Sequence, residues 1–439
     1  MPMLQKPLRV LITCHELDIR AGSQLYTRDV AETLREMGHS PVVFSPRLGE
    51  VAAEMRSRGV AIIDDLDLLG GPPDVIHAQH HREAMEALLR FPAVPALFVC
   101  HGWLPWQEAP PRFPSLQGYV AVDSLRRDRL VLEHGIPESR VTILHNFVDL
   151  DRFQPRPPLP DRPRRALLFS NQGGPHTFAP AVERACASAG LELTVVGRAS
   201  ERPVARPETI LPSYDLVFAR GRAALEAMAT GAAVILCDLD GSGPMIDPGN
   251  FEALRDLNFG LGALRPPVDE QRLIAEIGRY DAEQAARVRD RVRSEHGRRE
   301  AVARLVSLYR EAIAAGAGLD GEEHARECLE AAARYVGWLG PTLARMEDEL
   351  HERGETIARR SYGLDVVRDE LAGTANRLEA VQHQLEKKEN DLEGVRHELS
   401  TTREALDILE RSPFSRLRAR LLGLRPLIAA YRIVKPRRG

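Results

Sequence analysis

The stretch Asp215-Leu216-Val217-Phe218-Ala219-Arg220-Gly221-Arg222-Ala223-Ala224-Leu225-Glu226-Ala227-Met228-Ala229 reads as a strand running into a helix. Asp215 to Phe218 is a short apolar run of the kind buried in a parallel sheet, and Ala223 to Ala229 is rich in strong helix formers. Gly221 marks the turn, where a backbone without a Cβ bends freely. A further apolar run, Ala233-Val234-Ile235-Leu236-Cys237, follows at once. Strand, turn, helix and strand in this order define a βα unit of a doubly wound sheet.

The same alternation extends outward. Upstream, Ala166–Phe169 reads as a strand, Pro180–Ala189 as a helix and Leu191–Val196 as a strand. Phe153 to Arg165 is rich in proline and arginine and reads as a linker. Before it, strands are expected at Leu8–Thr13, Pro41–Phe44, Val60–Ile63, Asp74–Ala78, Ala96–Cys100, Tyr119–Val122 and Val141–Leu144. Helices are expected at Ser23–Met37, near Arg82–Leu89 and at Ser124–His134, with Ser23 as a cap and Gly38 as a stop. Asp269 to about Ala315 is helical throughout. The expected architecture is α/β: two Rossmann-like domains with doubly wound parallel sheets, residues 1–155 and 156–318, facing a cleft.

Beyond a helical connector at 319–341, with a new start at Gly340-Pro341, the pattern changes period. Leu350, Ile357, Leu364, Leu371, Leu378, Leu385, Leu392, Leu399 and Leu406 recur every seven residues. The column three residues later is Arg353, Arg360, Val367, Thr374, Val381, Lys388, Val395, Thr402 and Leu409. A coiled coil over 342–411 is expected, with one amphipathic helix lying along the body as the other reading. Ser412-Pro413 ends it. In the 412–439 tail, eight basic residues interleave with apolar ones and no acidic residue occurs, although the whole chain carries −4. That tail suits an anionic membrane surface better than nucleic acid, a frayed basic end being the alternative.

The 439 residues are 44% hydrophobic and 28% charged, which excludes a disordered chain, and 5% aromatic, which argues against an aromatic-lined lectin groove. The five cysteines are scattered without metal or disulfide spacing and read as reduced thiols of a cytosolic protein. The N-terminus does not read as a signal peptide, and no run reaches the length of a membrane span. There is no P-loop and no GxSxG motif.

Several residues fall where a cleft would need chemistry. Gly221 lets backbone approach a ligand at the start of a helix whose N–H groups and dipole favour an anion, although an ordinary strand–helix turn explains the same glycine. Arg220 and Arg222 flank it with bidentate donors, and Glu226 lies about one turn further along the helix. Asp240-Gly241-Ser242-Gly243-Pro244 reads either as a second glycine loop at the cleft or as an ordinary turn. Gly22 opens a helix in the first domain, and His101 ends a buried strand. His77 and His80 lack the helical spacing and the carboxylate of a zinc site, so no metal ligands are expected. Asp238-Leu239-Asp240 and Asp65-Leu66-Asp67 match a DxD pattern that simple turns also explain.

Taken in order, these segments resemble glycosyltransferase family 4, of GT-B fold. Arg9-Val10-Leu11-Ile12 with Ala21-Gly22-Ser23 resembles its opening strand and glycine loop. Asp74-Val75-Ile76-His77-Ala78-Gln79-His80 and Val99-Cys100-His101-Gly102 resemble its histidine segments, and His134–Val141 a later one. Leu144-His145-Asn146-Phe147-Val148-Asp149 stands where the family usually has PNGVD. Gly221 to Ala229 resembles its nucleotide-sugar site. The resemblance covers roughly residues 8 to 315 and implies a metal-independent glycosyltransferase without a further cofactor. It would move a sugar from a nucleoside diphosphate sugar to a glycan or lipid-linked acceptor hydroxyl in cell-surface polysaccharide or glycoconjugate synthesis. It implies donor contacts from Asn171, Gly221, Glu226, Gly241, Ser242 and Gly243, and acceptor contacts from Gly22 and His80. His101, Arg220 and Arg222 would be the catalytic groups.

Two departures stand out. The family commonly has a glutamate eight residues before Glu226, where this chain has Phe218. It also has an arginine and a lysine after the second domain's first strand, where this chain reads Ser170-Asn171-Gln172-Gly173-Gly174-Pro175-His176. Arg198, Arg220 or Arg222 is left to stabilise the leaving diphosphate. The alternative reading is a non-catalytic GT-B-like scaffold that oligomerises through its coiled coil and tethers polysaccharide enzymes at a membrane; on either reading the coil is expected to mediate self- or hetero-association.

Overall fold

A computed structural model describes residues 6–102, 107–319, 321–411 and Leu417. In the first domain, strands β1 (Arg9–Thr13), β2 (Ser40–Phe44), β3 (Ala61–Ile63), β4 (Val75–Ala78), β5 (Ala96–Cys100), β6 (Leu116–Ala121) and β7 (Val141–Ile143) form one sheet. Its order is β3-β2-β1-β4-β5-β6-β7, and every pair is parallel. Helices α1 (Gly22–Glu36), α2 (Glu50–Ser57), α3 (His81–Arg90) and α4 (Ser124–Asp128) connect the strands. A π-helical turn, Arg129–Glu133, continues α4. Successive β1 side chains alternate between two cores: Val10 and Ile12 join one face, Leu11 the other.

The second sheet contains β8 (Arg165–Phe169), β9 (Glu192–Val196), β10 (Leu216–Ala219), β11 (Ala233–Asp238) and β12 (Gly241–Met245). Its order is β12-β11-β10-β8-β9, parallel except for the antiparallel β11–β12 pair. Helices α5 (Ala179–Ser188), α6 (Pro207–Ile210), α7 (Gly221–Thr230), α8 (Phe251–Asp256), α9 (Glu270–Ile277) and α10 (Ala282–Glu295) complete this domain. Five strands rather than seven fit the short distance between Ala166 and Asp215. Chain order reverses at β1/β4 in one sheet and at β8/β10 in the other, and such switch points open crevices at strand carboxyl ends.

Four expectations need correction. Ser23 does not cap α1: the helix starts one residue earlier, with Ala21 extended and no side-chain cap. Gly38 does end it, at φ +86°. The segment 241–243 is not a cleft loop but the start of β12. A Cβ on Gly241 would lie 2.5 Å from the Pro266 carbonyl oxygen, and one on Gly243 2.7 Å from that of Ala263, so both glycines admit neighbouring backbone. The boundary at 318 does not follow the packing either. Helix α11 (Arg298–Ala315) returns to the first domain, where Val302, Leu305 and Tyr309 enter its core.

Finally, Gly340-Pro341 starts no new element, because α12 (Glu322–Arg411) is one 90-residue helix with Pro341 inside it. Cys328 and Ala331 near its start pack into the first domain. The chain divides into compact units at 1–337 and 338–439. In the second unit the column from Leu350 to Leu406 is 51–70% exposed, so no described residue covers this stripe. No described helix is long and apolar enough to cross a membrane. The basic tail, Leu417 excepted, lies outside the described residues.

Candidate active site

A cleft of about 1350 Å³ opens between the two sheet domains, at the carboxyl ends of their strands. From the first domain, Gly22 at the start of α1 and His101 just after β5 line it. From the second come Asn171 after β8, Arg198 after β9, and Arg220, Gly221, Arg222 and Glu226 at β10–α7. The cleft thus meets the N-termini of two helices whose first N–H groups have no intrahelical acceptor. Gly221 is required where it stands: only Arg220 separates β10 from α7, and Gly221 takes φ +55°. Its own N–H donates to the Phe259 carbonyl at 2.7 Å, leaving those of Arg222 and Ala223 for a ligand.

The sequence-expected residues are therefore only partly assembled. His80 does not line the cleft; it sits buried at the start of α3 with φ +58° and accepts from the His15 N–H at 3.1 Å. Gly241, Ser242 and Gly243 lie in β12, with the Ser242 hydroxyl buried beside the Pro267 carbonyl. His77 is equally remote, its Nδ1 2.6 Å from the Tyr309 hydroxyl of α11.

His101 has a defined protonation geometry. The Gln79 amide donates to the Thr13 carbonyl and to the Thr27 hydroxyl, so its Oε1 faces His101 and accepts from Nε2–H at 2.6 Å. Burial, with neighbouring His80, His77 and Arg126, pushes the imidazole well below its ordinary pKa. His101 is then neutral with Nδ1 as a lone-pair acceptor, suited to a hydroxyl rather than a phosphate.

The cleft arginines differ in what holds them. Arg220 pairs with Asp238 and, at 2.7 Å, with Asp240. Asp238 also accepts from the Ser170 hydroxyl at 2.7 Å, so the Asp238-Leu239-Asp240 motif is engaged by protein groups. Asp65 of the other DxD match caps a short turn by accepting from the Asp67 N–H. No His, Cys, Asp and Glu cluster among the described residues has metal-holding geometry. Arg222 pairs through Nε with Glu226 Oε1 at 2.8 Å and through Nη2 with Asp29 of α1. Arg198 is exposed and, among the described residues, has no carboxylate partner, which distinguishes it from the other arginines of the cleft.

Glu226 is buried, and burial raises its carboxyl pKa while the Arg222 guanidinium opposes the shift. Burial would also raise Asp29, but Arg222 and Arg28 outweigh it and hold the carboxyl at about 2. Sequence reasoning missed Asp29, Gln79 and the pairing role of Asp238. Sequence pattern offered little signal for Asp29: Tyr26 to Leu34 of α1 is wholly buried although it contains Thr27, Arg28, Asp29, Glu32 and Thr33 beside its apolar residues.

Two sheet domains facing one another across this cleft define the GT-B glycosyltransferase fold. The chain is similar to the glycosyltransferase of Rickettsia africae ESF-5, with a TM-score of 0.51 at 14% identity over 70% of this chain and 99% of that one. It is also similar to Anabaena Alr3699/HepE in complex with UDP and glucose, with a TM-score of 0.47 at 13% identity over 69% and 99%. No curated protein matches in sequence. Residues 20–152 match the family described as Glycosyltransferase Family 4. The chain thus has a GT-B-like body, within which residues 20–152 match Glycosyltransferase Family 4, followed by a long C-terminal helix.

Proposed function

We propose that the protein transfers a sugar from a nucleoside diphosphate sugar to an acceptor hydroxyl of a glycan or lipid-linked acceptor, in cell-surface polysaccharide or glycoconjugate synthesis. The observation that carries this reading is the joint lining of one cleft by the α7 N-terminus, Glu226 and Arg198. Glu226 would accept from the ribose hydroxyls, since its Oε2 has no protein hydrogen bond among the described residues. The N–H groups at the start of α7, with Asn171 nearby, would hold the diphosphate. Arg198 would stabilise the negative charge that develops on the leaving diphosphate, in place of the absent arginine–lysine pair. On this reading Arg220 and Arg222 organise carboxylates and do not bind phosphate directly.

His101 Nδ1 and the start of α1 at Gly22 would face the sugar and its acceptor. In this proposal charge is met by guanidinium and backbone N–H groups, so neither a metal nor a further cofactor takes part. The chain would work in the cytoplasm, self-associating through the stripe on α12, with the 412–439 tail at the inner membrane face. Thermal shift with UDP-, GDP- and dTDP-sugars tests the core of the reading. At least one class should raise Tm for the wild type and fail to do so for Glu226→Ala; no stabilisation by any of them refutes it.

A further inference from the structure

The Arg222 guanidinium makes an unusual division of its donors. Its Nε and Nη2 form the edge that normally grips both oxygens of one carboxylate. Here the edge is split: Nε donates to Glu226 Oε1, and Nη2 pairs with Asp29 Oδ2, on the other domain and 193 residues away. Asp29 is itself shared, because its Oδ1 accepts from Arg28 Nε at 2.9 Å and Nη2 at 2.7 Å. The side chains are 1% exposed for Asp29, 6% for Glu226 and 11% for Arg222. At that burial charge must be matched within the cluster, and two guanidiniums against two carboxylates balance it.

We infer that Asp29 is a positioning residue for the donor site. By taking one half of the Arg222 fork, it keeps Arg222 from closing on both oxygens of Glu226 and so leaves Oε2 free for ribose. Without Asp29, the Nε–Nη2 edge has only Glu226 to grip, and the carboxylate is consumed by its own partner. Arg28 would retain Glu54, at 3.2 Å, as a counter-charge. The consequence is that the ribose acceptor of one domain is competent only while α1 of the other is docked against it. This inference rests on the reading of Glu226 as the ribose contact.

The test is isothermal titration of the full chain with UDP, GDP and ADP, then with the 2′-deoxy form of each diphosphate that binds. Wild type should favour the ribonucleotide about tenfold, one charge-assisted hydrogen bond being worth roughly that factor. Asp29→Ala should abolish the preference, binding both forms as wild type binds the 2′-deoxy form. A merely structural loss would weaken both forms in parallel and would overturn the inference, as would an unchanged preference. If Asp29→Ala does not fold, Asp29→Ala/Arg222→Ala removes one charge of each sign and is compared with Arg222→Ala. Because Asp29 acts only through Arg222, the inference expects the same ribonucleotide preference in these two variants, and a preference that drops further when Asp29→Ala is added to Arg222→Ala overturns it. Wild type that binds but ignores the 2′-hydroxyl refutes the inference alone, and wild type that binds no diphosphate refutes the functional reading with it.

Discussion

Arg198→Ala tests whether Arg198 serves the proposed reaction and not the fold. Arg198 is exposed and has no ion pair among the described residues, so its removal leaves no buried charge unpartnered. Stability should change by less than about 0.5 kcal/mol, as for other surface substitutions. Its Coulomb interaction with a diphosphate at ~4 Å is about 4 kcal/mol per unit charge at an effective dielectric near 20. Part of that acts in the ground state; loss of one preorganised donor to developing charge typically costs about 10²–10³ in kcat. Arg220→Ala is the control. Arg220 is 31% exposed but its partner Asp238 is only 7% exposed, so that carboxylate would stay buried with only the Ser170 hydroxyl and the Leu239 N–H and no counter-charge from Arg220. A fully buried broken pair costs about 3–5 kcal/mol; this partly solvated one should cost about 2 kcal/mol. The assay is nucleotide release from the sugar donor that best stabilises the wild type, measured beside urea denaturation. Arg198→Ala should be slow and stable, Arg220→Ala unstable. Wild-type release by Arg198→Ala, or equal destabilisation by both, refutes the assignment.

Burial pushes His77 down to about 3 and His296 down to about 4. From about pH 6.5 downward the unfolded chain therefore takes up protons that the folded chain refuses, and stability falls with pH. At pH 5 each histidine should cost about 2 kcal/mol relative to pH 8; an unfolding midpoint flat across that range contradicts the burial argument. Gly241→Ala places a Cβ against the Pro266 carbonyl at φ +143°. It should destabilise by about 1–3 kcal/mol while nucleotide affinity stays within twofold, and the reverse pattern restores the glycine loop to the cleft. Sedimentation of the full chain against one ending at Gly337 should show an oligomer only for the former; equal monomer masses exclude self-association through α12.

Most of the fold was legible because its strands are short, apolar and bounded by turn residues. Ala96–Cys100 coincides with its expected limits, and most other strands deviate by a residue or two. What was missed has a common physical origin in contacts that leave no local periodicity. Gly241-Ser242-Gly243-Pro244-Met245 has neither alternation nor β-branched residues. It becomes a strand because β11 offers an open edge and because glycine admits the backbone of residues 263–266. Helix α11 has an ordinary amphipathic pattern; that its apolar face covers the first domain rather than the second is decided by where the chain leads it.

The site shows the same division more sharply. Residue types and order indicated the position of the cleft, and His101, Gly22, Asn171, Gly221 and Glu226 do line it. Sequence could not reveal which charges are already neutralised. Arg20 is taken by Glu54, Arg126 by Asp123, Arg152 by Glu208, Arg220 by Asp238 and Arg222 by Asp29 with Glu226. These partners lie at separations from three residues to 193, so proximity in sequence is no guide to pairing. A cleft rich in arginine is therefore not a strongly cationic cleft, because most of its guanidiniums are internally compensated. In the proposed donor site, selectivity for an anion would then depend less on net charge than on the groups left unpaired among the described residues, Arg198 and the N–H groups at the start of α7. The loss of the family's arginine–lysine pair is reconciled with a working donor site if the counter-charge has moved from the loop after β8 to the loop after β9, its neighbour in the sheet.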